Sequence, residues 1–103
     1  MPKPLAQPIS YHEVYHFSED PSWEALILCF SGPQTVVGQL WFAKDGTVLP
    51  PNQETANRII VLHYYISRFN DVITTLREES PLYLTWDAVN VRGYVSSSEL
   101  GYE

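Results

Sequence analysis

A chain of 103 residues has room for one domain and one core. Hydrophobic residues make up 45% of it and charged residues only 17%, a composition that excludes disorder. Twelve Asp and Glu against six Lys and Arg leave a net charge of −6, and no two cations are adjacent. This excludes the clustered positive charge that phosphate backbones and anionic membranes require.

The first eight residues, with Pro2, Pro4 and Pro8, read as an extended arm docked on something. They lack the apolar core of a signal peptide, and no run in the chain approaches the ~18 apolar residues of a membrane span. The cytoplasm is the expected location. Ile9 to Ser18 alternates with period two, with Ile9, Tyr11, Tyr15 and Phe17 as the buried face of a strand and His12 and His16 opposite. Glu19 to Ser22 turns the chain. Ala25 to Phe30 is apolar on both faces, the mark of a central strand, and encloses Cys29, the one cysteine, expected to be a buried inert thiol.

Ser31 to Gln34 turns the chain back into a strand from Thr35 to Ala43, with Gly38 in its middle. Lys44-Asp45-Gly46-Thr47 carries a tight-hairpin signal, so Val48-Leu49 is expected to pair back until Pro50-Pro51 stops it. Asn52 to Asn57 reads as a loop. The segment Arg58 to Glu79 has apolar residues at helical spacing throughout. Its first part, Ile59 to Ile66, is nevertheless almost entirely β-branched or aromatic, which favours a strand. Ser67 is then expected to cap a short helix from Arg68 to Glu79 that buries Phe69, Val72, Ile73 and Leu76. Leu82 to Trp86 and Val91 to Val95 form a C-terminal hairpin about the turn 87–90, followed by a polar tail over 96–103.

The fold class is therefore α+β: a curved, mainly antiparallel sheet of about 5–6 strands, with one short helix inserted before a C-terminal hairpin, in a single domain over 1–103. One helix cannot cover such a sheet. Curling or a second layer is needed, and a second copy of the chain is the simplest layer.

His12-Glu13-Val14-Tyr15-His16 matches the zinc-protease pattern H-E-x-x-H. That chemistry needs a helix, where the histidines stand one above the other. In a strand they are ~13 Å apart, beyond the reach of one zinc with ligands at ~2.1 Å. The reading is no zinc protease, no metal site and no cofactor, and no catalytic residue is assigned. The carboxylate pairs Glu19-Asp20 and Glu78-Glu79 sit at element ends as solvated groups. Phosphate loops, nucleophile elbows and dinucleotide fingerprints are absent from the sequence.

Aromatics are the unusual resource: three Trp, seven Tyr and four Phe. They suit a subunit interface, with Trp23, Trp41 and the arm residue Pro4 as candidates, and make the first reading a protein-association module, most simply a homodimer. The alternative is a small-molecule binder or small enzyme whose pocket in the curved sheet is lined by His63, Tyr64, Tyr65 and Trp86. The order of strands then helix resembles the architecture of the Pur-alpha and Whirly single-strand binders, with no motif to align. That resemblance implies base stacking on a sheet as a third reading, which the missing cations disfavour.

Overall fold

The computed structural model describes residues 5–33 and 35–97. Among these, eight strands form two mostly antiparallel sheets, with one helix before a C-terminal hairpin. The strands are β1 (Leu5–Ile9), β2 (Tyr11–His16), β3 (Trp23–Phe30), β4 (Val36–Ala43), β5 (Gln53–Glu54), β6 (Ile60–Tyr65), β7 (Leu82–Asp87) and β8 (Arg92–Ser96). Helix α1 (Phe69–Glu78) follows β6 after a 3-10 turn over Ile66–Arg68. The larger sheet has five strands in the order β2-β3-β4-β6-β5, and the smaller has three, β1-β7-β8.

The α+β class, the antiparallel bias and the helix ahead of a hairpin are as expected, but the single curved sheet is two sheets. The division falls at Ser10, inside what reads as one strand. Its N–H donates to Phe30 O at 2.8 Å, and its hydroxyl accepts the Gly32 N–H at 2.8 Å. The chain thus leaves β7 after Ile9 and joins β3 at Tyr11. The arm is corrected accordingly: its described part is strand β1, with Pro8 opposite Tyr83, while Pro4 lies outside the described residues.

The faces of β2 are the reverse of the expected ones. His12, Val14 and His16 register with the buried Cys29, Ile27 and Ala25, whereas Tyr11 and Tyr15 point outward and stay 51% and 45% exposed. Alternation specifies which residues share a face, not which face is covered. Here α1 decides, since Phe69 packs against both His16 and Phe42 with centroids at 5.4 and 5.1 Å. The helix buries Val72, Ile73 and Leu76, carries Asp71 in its first turn and Arg77 in its last, and so matches its own dipole.

Ser67 does not cap α1. It is an exposed residue inside the 3-10 turn, and neither Tyr65 nor Arg68 at the two helix starts makes a side-chain cap bond. The expected hairpin after β4 is also absent. The turn closes, with Thr47 N–H donating to Lys44 O at 3.1 Å, but Val48 and Leu49 do not pair. The two prolines that follow offer no amide donors. The chain instead reaches the far edge of β6, where Asn52 Oδ1 accepts the His63 N–H at 2.7 Å and β5 pairs antiparallel with β6. Strands β4 and β6 are therefore neighbours in parallel. Val91 ends the last turn rather than opening β8, Ser96 belongs to β8, and the tail over 98–103 lies outside the described residues.

The core lies between the two sheets and α1. The smaller sheet meets the larger at Gly38, whose Cβ position is taken by Leu84, and at Gly93, whose Cβ position is taken by Leu62. The chain therefore supplies its own second layer on one face of the larger sheet. None of the described helices is long and apolar enough to cross a membrane.

Candidate functional site

The opposite face of the larger sheet is where the aromatic residues gather. Register places Glu13, Leu28, Gln39, Val61 and Gln53 in one row across the strands, and Tyr15, Leu26, Trp41 and His63 in the next. Tyr11 meets Phe30 at a tilt, with ring centroids 5.4 Å apart, at one end of the face. At the other end Phe17 lies nearly parallel on Trp41 at 6.0 Å, and Trp23 meets the edge of Trp41 at 5.3 Å and the His63 ring at 5.7 Å. Apart from Val61, which is 7% exposed, none of these residues is buried; α1 packs through Phe69 on Phe42, and the smaller sheet through Leu84 at Gly38 and Gly93 at Leu62, on the other face.

Three donors of this face are paired within it. The Tyr15 and Tyr11 hydroxyls donate to the two oxygens of Glu13, at 2.7 and 3.1 Å. These bonds, and the carboxylate's charge, hold both phenols above their ordinary pKa. The indole N–H of Trp41 donates to Gln39 Oε1 at 3.0 Å. His63 Nδ1 is enclosed without a hydrogen-bond partner, and burial lowers the pKa of the ring. Of the residues that register places here, Glu13 is the one charged side chain, and none is Lys or Arg.

The sequence candidates divide between the faces. Trp23, Trp41, His63 and Tyr65 come together on the outer side, because residues 61, 63 and 65 of β6 alternate outward. Tyr64 points inward onto Phe42 at 5.4 Å, where burial pushes its phenol up to about 12. Trp86 is a core residue of the smaller sheet, 7% exposed. The four proposed lining residues therefore do not share one pocket. Phe17, Gln39 and Glu13 were not singled out for this face by sequence, although Glu13 between two tyrosines at i±2 is a readable strand pattern.

His12 and His16 face α1 from β2 while Glu13 faces away, so a zinc-protease base could not act beside them. Among the described residues no group of three or more His, Cys, Asp or Glu could hold a metal ion. Cys29 is buried, which pushes its thiol up to about 12. A cleft of about 280 Å³ opens where β1 passes into β2, with His12, Leu76, Glu79, Pro81 and Tyr83 in its walls. A smaller one of about 130 Å³ lies beside Trp86, Glu54 and Arg58. No family model matches the chain, nor does any curated protein or solved structure.

Proposed function

We propose that the protein is a homodimeric association module whose subunits pack through the outer face of the five-stranded sheet. The observation that carries this reading is that an apolar face closes its Tyr11, Tyr15 and Trp41 donors on its own Glu13 and Gln39 oxygens, His63 Nδ1 being the exception. A solvated antiparallel face carries polar residues that bond to water. A face with its hydrogen bonds closed on itself loses little when water is removed. The five strands have 6, 8, 8, 6 and 2 residues, which at ~4.8 Å per strand and ~3.3 Å per residue make a flat area of roughly 470 Å². That is about six-tenths of the ~800 Å² per partner of a standard interface, and side-chain relief and the flanking Phe17 and Trp23 have to supply the rest.

Light scattering across the micromolar range tests it. The expected mass is twice the 11.8 kDa of the chain, and Trp41→Glu is expected to give folded monomers. A mass near 11.8 kDa at every concentration, or a dimer untouched by charges placed at Trp41 and Leu26, refutes it.

Small-molecule binding is the second reading, favoured by the 280 Å³ cleft beside His12. That volume is at the small end for ligand sites. Base stacking on the aromatic face is opposed by the lack of any cation among its register-placed residues.

A further inference from the structure

The cleft where β1 passes into β2 gathers the ends of three elements: Ser10 at the strand junction, Leu76 and the C-cap Glu79 of α1, and Leu82 at the start of β7. Two of its polar side chains are already engaged. The Ser10 hydroxyl donates to Phe30 O and accepts the Gly32 N–H, and the Tyr11 hydroxyl donates to Glu13. The others differ. Among the described residues, no hydrogen bond joins the side chains of His12, Glu79, Ser80 or Tyr83 to another protein group. Unengaged polar groups converging on a recess beside Leu76, Pro8 and Pro81 are what a ligand site presents.

The charge of the occupant follows from these walls. Glu79 carries the one full charge among the lining residues, and the carbonyl end of α1, with its partial negative charge, borders the cleft at the same place. His12 adds no positive charge at neutral pH, because burial and, after it, the charge of Arg77 hold its pKa below 6.5. Arg77 itself sits in the last turn of α1 but outside the cleft walls. An anion would meet a carboxylate with no cation in the walls to hold it. An ammonium group instead finds a carboxylate to donate to, with the neutral imidazole and the Ser80 and Tyr83 hydroxyls as further acceptors. A volume of about 280 Å³ limits the occupant to a compact molecule.

Resting on the small-molecule reading, we propose that this cleft binds a small organic cation, an ammonium group on a compact apolar body, with Glu79 as its counter-ion and His12 as a neutral acceptor. Of the residues named on the outer sheet face only Tyr11 lines the cleft, so its occupancy does not depend on dimerisation.

Three probes with one ring and different charge test the assignment: benzylammonium, benzyl alcohol and benzoate. Each is titrated at about pH 7.5 into the wild-type chain and into Glu79→Gln, following the NMR signals of His12, Leu76 and Tyr83. Glu79 is exposed, so the substitution is expected to leave the fold intact, which a circular dichroism melt checks. Benzylammonium is expected to shift the three signals saturably and to bind at least about threefold more tightly than the alcohol, the scale of an exposed ion pair. Benzoate is expected to leave them in place, and Glu79→Gln to abolish the preference for the cation. Equal binding of the alcohol or benzoate at these residues, or a preference that survives Glu79→Gln, overturns the cation assignment while leaving the cleft a ligand site. Signals that no probe moves overturn the small-molecule reading as well.

Discussion

Gly38 on β4 and Leu84 on β7 meet where the two sheets pack: the Leu84 Cδ2 methyl occupies the space a Cβ on Gly38 would need, with Ile60 O 3.2 Å from the same point. The neighbouring β4 and β6 side chains on this face, Leu40, Ile60 and Leu62, are essentially solvent-free. Gly38→Ala is therefore expected to destabilise the protein by about 1–3 kcal/mol through overpacking. Leu84→Ala in the same chain should cost less than it does alone, because it vacates the contested space. Urea melts of the two single variants and the double variant check both statements.

Val91 closes the β7–β8 turn in the left-handed region, at φ 51°, with a branched side chain that is 64% exposed. Burial does not hold it there. Asp87 fixes the turn by accepting the Val89 and Asn90 N–H groups at 3.0 and 3.2 Å, and the chain must then reverse into β8. A branched residue in that conformation costs about 1–2 kcal/mol, most of which glycine escapes. Val91→Gly should therefore raise stability by about 1 kcal/mol, read as a higher denaturation midpoint.

Two histidines make stability sensitive to acid in a known direction. The pKa values of His12 and His63 lie below the ordinary 6.5, both through burial and His12 also through Arg77. On acidification the unfolded chain takes up these protons near 6.5, before the folded one does. The contribution is therefore complete above 6.5 and is lost as pH falls toward the lower folded values. Asp20 and Asp87 are shifted below 3.8, so their contribution is lost only in stronger acid. Urea midpoints at fixed protein concentration should fall between about pH 7.5 and 5.5. His12→Gln and His63→Gln should each reduce that fall, and an unchanged pH response in both would contradict the assignment.

Local chemistry made most of the elements legible. The β-branched run at 59–66 and the amphipathic helix after it formed as strand and helix, and the doubly apolar stretch 25–30 became β3 at the interior of its sheet. What stayed hidden was set by partners remote in sequence. The run from Ile9 to Ser18 alternates without a break, yet Ile9 pairs with Leu82 and Tyr11 with Phe30, so one alternation serves two sheets. The tyrosine side of β2 resembles a core face because tyrosine is apolar in bulk, and only the position of α1 shows otherwise. Ser67 has the right residue type for a cap, but the 3-10 turn carries the chain past it before α-helical bonding starts. Within the candidate site Trp23, Trp41 and His63 could be named from composition and strand phase. Their meeting depends on β4 and β6 lying side by side in parallel, which the turn signal at Asp45-Gly46 pointed away from.

The placement of β1 bears on how the molecule comes into being. Its pairing partner, β7, begins at Leu82, so the first described strand closes against a segment made much later. On a ribosome the apolar side chains of Leu5 and Ile9 emerge before the larger sheet and have no mate until Leu82 to Trp86 have followed. The larger sheet, whose strands run from Tyr11 to Tyr65, can assemble first. Closing so long a loop is slow, as it is for other topologies dominated by distant contacts. Final consolidation of the smaller sheet thus waits for β7 and β8, and the interval before they arrive is when Leu5 and Ile9 are most exposed to aggregation and proteolysis.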